Sequence, residues 1–281
     1  MKFVVFQTHA ALAEVGLLTD RGVVGLGSLL GEDDSPQAAM ERVIDAYDTL
    51  LPRLLDLAAS GPARPVRDVQ LQPPLPRPGK ILCSTAVFDG PADRPPLLMT
   101  LKSPESVIGP GETIRLPDVD AAWQFVAEAE LGLVIRGPGK QVAAADWRQA
   151  VFGYTCVVDV MARGDEQFGR DFWLAKAETL GPLGPCIVTA DEIPDPGTLR
   201  VRSWQNGTPR QDYAIATASY SVGEQVELAS TVMTLKTGDV LACGTSRVGL
   251  EPLRQGDRLD IEIDRIGRLV LGVSTLAASP L

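Results

Sequence analysis

A chain of 281 residues, 45% of them hydrophobic, can bury the core of one large domain, or of one domain with a small appendage. Its net charge of −10 argues against a nucleic-acid or anionic-membrane partner. No apolar run is long enough to span a bilayer and no basic segment leads into an apolar one at the start, which predicts a soluble, cytoplasmic protein.

Lys2–Phe6, Glu14–Leu18 and Gly22–Leu26 read as short strands. Ser35 is an N-cap with Pro36 in the first helical position, and Ala39, Val43, Ile44, Tyr47, Leu50 and Leu51 follow helical spacing. Pro52 is expected to end or kink that helix, with a second over 54–59. Gly25-Leu26-Gly27 lacks the third glycine of a dinucleotide loop. Prolines 62, 65, 73, 74, 76 and 78 make a stiff stretch, taken as the boundary between domains 1–75 and 76–281.

Beyond it, Lys80–Ser84, Leu97–Lys102, Thr113–Leu116, Tyr154–Val160, Leu183–Val188, Leu199–Trp204, Val240–Cys243, Leu259–Ile263 and Leu269–Val273 read as strands. Asp89–Pro96 reads as a loop, and Trp147–Val151 as the end of a short helix. The fold class is therefore mostly β with some α. Cys83, Cys156, Cys186 and Cys243 sit among apolar residues without metal-ligand spacing, which predicts reduced, buried thiols. The single histidine, His9, leaves few soft ligands, so any metal should be a hard, oxygen-ligated cation.

The chemistry concentrates in Glu128-Ala129-Glu130, which leads into the apolar run 131–135. On a strand, residues i and i+2 share a face about 6.5–7 Å apart. Glu128 and Glu130 then face one way, and Phe125, Ala127, Ala129, Leu131, Leu133 and Ile135 the other. Two buried like charges call for a cation between them. The alternative is an Ala-rich helix over 120–130 with two solvated glutamates, and this stretch alone leaves both open. Asp159 is the single charge within Tyr154–Val160.

The order of short motifs resembles the fumarylacetoacetate hydrolase family. The matching pieces are Lys80-Ile81-Leu82-Cys83, Lys102-Ser103, Val107-Ile108-Gly109-Pro110-Gly111, Glu128-Ala129-Glu130-Leu131 and Gly153-Tyr154-Thr155. Val158-Asp159-Val160, Ala162-Arg163, Lys176, Pro182-Leu183-Gly184-Pro185, Asn206-Gly207, Gly238-Asp239-Val240 and Gly244-Thr245 follow. Each piece is weak, and their order over some two hundred residues is strong.

The resemblance implies a distorted β-roll or sandwich, preceded by a small α+β N-terminal domain and assembled as a homodimer. It implies Mg²⁺ or Mn²⁺ on Glu128, Glu130 and Asp159, lysines 102 and 176 near a small oxo-acid substrate, and substrate contacts from Arg163, Gln167 and Thr245. The family's Asn-Tyr followed by His-x-x-Glu is replaced here by 85–94, with Phe88 at the tyrosine position and no histidine. Asp89 or Asp93 would substitute as base if that loop folds inward.

Three readings follow: a metal-dependent enzyme cleaving a C–C bond in a 2-oxo or β-dicarbonyl acid, by decarboxylation or hydrolysis; an enol–keto isomerase; or a non-catalytic metal-binding scaffold. Without the histidine, decarboxylation or tautomerisation is expected over hydrolysis.

Overall fold

The computed structural model describes residues 1–8, 12–30, 35–85, 87–88, 94, 96–119, 123–164 and 173–276. Its strands up to the site are β1 (Lys2–Gln7), β2 (Glu14–Thr19), β3 (Gly22–Gly25), β4 (Ala63–Arg64), β5 (Gln70–Gln72), β6 (Ile81–Thr85), β7 (Leu98–Lys102) and β8 (Thr113–Leu116). Then come β9 (Gln124–Ile135), β10 (Val151–Arg163), β11 (Leu183–Thr189), β12 (Arg200–Gln205) and β13 (Thr208–Ala214). The last are β14 (Val240–Ala242), β15 (Arg258–Ile263) and β16 (Gly267–Thr275).

The larger sheet runs β4-β3-β2-β1-β11-β10-β9-β14-β6-β7, with β5 also paired to β1. The smaller runs β13-β12-β15-β16-β8. Both are mixed, since β14–β6 and β16–β8 are parallel. The larger sheet crosses the expected boundary near residue 75 without a break, because β1 pairs with β11. The proline-rich stretch supplies β4 and β5 on the way.

The two long central strands, β9 and β10, are buried on both faces. One face carries Ala129, Leu131, Leu133, Val158 and Val160 into a core shared with Val201, Ile261 and Leu269 of the smaller sheet. The alternation expected for 125–135 is thus the observed one, and Gln124–Glu130 is strand, not helix. Opposite, further along the sheet, the helix Pro36–Ser60 lays Met40, Val43, Ile44 and Tyr47 on Phe3, Val134, Phe152 and Val157. The Tyr47 ring stands edge-on to Phe152, with centroids 5.2 Å apart. Burying each such side chain stabilises the fold by about 1.5–3 kcal/mol.

Ser35 caps this helix by accepting the Ala38 N–H. Of the two expectations at Pro52, an end or a kink, the end is not met: the helix runs on to Ser60. Pro52 is exposed, and buried Leu54 anchors the turn beyond it. Packing on both sides of the proline outweighs one missing hydrogen bond. Two further elements lay unread in the sequence. Asn206 and Gly207 both take positive φ, the turn that joins β12 to β13. Ser221 and Glu224 form a capping box that starts the helix Val222–Val232. All four cysteines are buried and unpaired by disulfides. Among the described residues, no helix is long and apolar enough to cross a membrane.

Because Pro52 interrupts an exposed helix interior, Pro52→Ala is expected to raise the urea midpoint, by up to about 3 kcal/mol of unfolding free energy. An unchanged or lower midpoint would show that Pro52 costs the folded helix no more than it removes from the entropy of the unfolded chain.

Candidate metal centre

Glu128 and Glu130 share the face of β9 turned away from the smaller sheet, and Asp159 on β10 lies directly across from Glu128. One carboxylate oxygen from each residue lies within 4.8 Å of the others, and all three residues are buried. Burial pushes the Glu128 carboxyl up to about 7; the Asp159 charge adds to this, while Arg163, Arg247 and Lys102 oppose it. Glu130 is pushed well above the usual carboxylate range by burial, then by Asp159 and Glu128. The Gly244 N–H, 2.7 Å from Glu130 Oε2, pulls the other way. Only glycine suits position 244: its φ is +81°, and a Cβ there would stand 2.9 Å from Val87.

Lys102 is the buried counter-charge. Its Nζ lies 2.7 Å from Asp159 Oδ1 and donates to the carbonyls of Ala175 (2.7 Å) and Val160 (3.1 Å). Its side chain is 0% exposed, and its ammonium has Asp159 Oδ1 and the two carbonyl oxygens within 3.1 Å. Arg163 ion-pairs with Glu128 through Nη2 and stays partly exposed. Lys176 follows the Ala175 carbonyl that Lys102 engages, and its own N–H bonds to Trp173 O. The Thr245 hydroxyl donates to Ala129 O (2.9 Å) and accepts from Gln211 Nε2 (2.8 Å). Phe88 packs edge-on against Tyr213, with centroids 4.8 Å apart. Asp93 and Gln167 lie outside the described residues, as do Asp89 and His9.

Three converging carboxylates against one buried lysine leave an excess of negative charge that a divalent cation would offset. The donors are all oxygen, which suits Mg²⁺ or Mn²⁺. The Cys83 thiol, adjacent to Asp159, is pushed well up by burial and by the Asp159 and Glu130 charges, so it offers no thiolate in competition. The residues present therefore fit a hard divalent ion. Sequence reasoning missed Arg247, whose charge reaches Glu128 from two positions beyond the Gly244-Thr245 motif. It also missed Gln211 and Tyr213, which lie on the unread strand β13.

In the metal-free protein, the folded state holds the Glu128 proton more tightly than the unfolded chain, about 7 against 4.5. Stability in EDTA should therefore fall as pH rises from about 4.5 to about 7. Glu128→Gln should show a shallower slope across that window in thermal melts, and an unchanged slope would remove Glu128 as its source.

Comparison with known proteins agrees with this geometry. The family described as Fumarylacetoacetate (FAA) hydrolase C-terminal matches residues 83–274. Oxaloacetate tautomerase YisK of Bacillus subtilis (strain 168) is 35% identical over 219 residues, covering 72% of each chain. Maleylpyruvate hydrolase of Aquipseudomonas alcaligenes is 31% identical over 267 residues, covering 89% of this chain and 91% of that one. The crystal structure of maleylpyruvate hydrolase from Sphingobium sp. SYK-6, in complex with manganese(II) ion and pyruvate, superposes with a TM-score of 0.87 at 29% identity, covering 99% of this chain and 100% of that one. With a matching profile over most of its length and relatives above 30% identity, the chain belongs to the fumarylacetoacetate hydrolase family.

Proposed function

We propose that this protein is a divalent-metal-dependent enzyme that tautomerises or decarboxylates a short β-oxo acid of the oxaloacetate type. The observation that carries the proposal is the buried Glu128–Glu130–Asp159 triad on paired strands. A divalent cation held by these three residues would supply Lewis acidity toward the adjacent oxygens of a 2-oxo acid.

The chain's own residues have three tasks. Lys102 fixes Asp159 and keeps part of the carboxylate charge balanced. Arg163, partly exposed, offers a cation for a substrate carboxylate. Lys176 is assigned to the substrate oxygen on which negative charge grows. Tautomerisation moves a proton from carbon to the keto oxygen. Decarboxylation breaks the bond to CO₂ and sends its electron pair toward that same oxygen. Both routes need the same cationic surroundings, and neither needs an activated water. Similarity to an oxaloacetate tautomerase supports the first route.

Likeness to maleylpyruvate hydrolases favours a second reading, hydrolysis of an acylpyruvate. That reaction needs a base to activate water, and the only histidine of the chain is His9. General-base assistance is worth about 10²–10⁴-fold, so its loss should leave hydrolysis slow. Asp93 is the candidate replacement.

Two measurements test the proposal. Mn²⁺ should raise the melting temperature at pH 8, less so below about pH 7, where protons compete for Glu128. Glu130→Ala should show little rise, and an equal rise in both would sink the triad as the metal site. In parallel assays with saturating Mn²⁺, oxaloacetate should turn over and acetylpyruvate lag, with Lys176→Ala slower by about 10²-fold or more. Fast acetylpyruvate hydrolysis that collapses in Asp93→Ala would decide for the second reading.

A further inference from the structure

The backbone between the two glutamates is held by side chains where a strand would otherwise pair with it. Along its edge away from β10, β9 is paired with β14 over Gly132–Val134, and the Cys243 N–H reaches Leu131 O at 2.9 Å. Two residues on, at Ala129, β14 has ended. There the Ala129 N–H donates to Gln211 Oε1 at 3.2 Å. Its carbonyl receives the Tyr213 hydroxyl at 2.6 Å and the Thr245 hydroxyl at 2.9 Å. Gln211 in turn donates through Nε2 to Thr245 Oγ1 (2.8 Å) and to Ser246 O (2.6 Å), and accepts from Ser203 Oγ (3.2 Å). Gln211, Tyr213 and Thr245 are all buried.

We infer that Gln211, Tyr213 and Thr245 are positioning residues for the metal centre, clamping the two peptide units on either side of Ala129 so that Glu128 and Glu130 keep their spacing before an ion arrives. The inference rests on the metal reading above. The Ala129 N–H lies in the peptide unit shared with Glu128 and its carbonyl in the unit shared with Glu130, so turning either unit breaks part of the clamp and swings the attached glutamate away from Asp159. The clamp thus does for this stretch of β9 what a neighbouring strand does elsewhere, and both flanking carboxylates share one rigid base. The single Thr245 proton has two carbonyls in reach, Ala129 O at 2.9 Å and Ser246 O at 3.5 Å, and the shorter contact is to Ala129. Groups that orient metal ligands typically set affinity by about 10–100-fold.

Calorimetric titration of metal-stripped protein with Mn²⁺ tests this. Tyr213→Phe keeps the ring that packs on Phe88 and removes only the hydroxyl. Thr245→Val removes the second donor, and Thr245→Ser restores it. Ser230→Ala is the control: its hydroxyl is equally buried and bonded, to Val142 N and Glu227 O on the far helix. Melting in EDTA measures any general loss of stability. Expected are about 10–100-fold weaker Mn²⁺ binding in Tyr213→Phe and Thr245→Val, near-native binding in Thr245→Ser, and no change in Ser230→Ala. Native affinity in both Tyr213→Phe and Thr245→Val would overturn the clamp, as would an equal loss in Ser230→Ala. A wild type that binds no Mn²⁺ would overturn the metal reading itself, and the clamp's role with it.

Discussion

Repulsion among Glu128, Glu130 and Asp159 is the constraint that the surrounding structure has to meet. Two unit charges about 4 Å apart interact by roughly 1 kcal/mol in water and about 4 kcal/mol at a protein-like effective dielectric of 20. Three buried carboxylates could not all stay ionised on such terms. The fold answers locally with Lys102 against Asp159, the Gly244 N–H against Glu130 and Arg163 against Glu128. These contacts leave two of the three carboxyls proton-loving, which makes the site receptive to a small, highly charged cation.

The cost of that arrangement is met by its neighbours. β9 and β10 stand between two hydrophobic cores, one toward the smaller sheet and one toward the long helix. Apolar residues on the same strands, Leu131 and Leu133 on one and Val158 and Val160 on the other, are close to fully buried. The strands therefore stay in place for reasons independent of the charges they carry. A site that breaks the usual rule against buried like charges sits in a part of the fold that has stability to spare.

Much of this was legible in the chain because its signals are local. The i, i+2 spacing of Glu128 and Glu130, the apolar alternation opposite them and the solitary Asp159 all lie within single strands. Which residue faces which was not legible, since register between β9 and β10 is a long-range matter. Lys102 stands out in the sequence only through the family resemblance, as a lysine near the substrate; burial shows that its ammonium is committed to Asp159 and two carbonyls. Gln211 and Tyr213 were missed because Thr208–Ala214 is polar and begins with Thr-Pro, although Asn206-Gly207 ahead of it was a usable hairpin signal. At Pro52 tertiary packing carries the helix past a residue that would end it in isolation.

The pairing of β1 with β11 bears on how the chain could be cut or recombined. β11 in turn pairs with β10, which carries Asp159, so the N-terminal strands are mechanically in series with the carboxylate triad. Excising them would bare a row of β11 backbone donors and acceptors one strand away from the site, a template for sticking to other chains. A graft from a relative would have to match the Lys2↔Val188 and Phe3↔Ile187 register before it could seal that edge. The N-terminal segment behaves less as a detachable cassette than as the outer plank of the sheet that holds the active carboxylates.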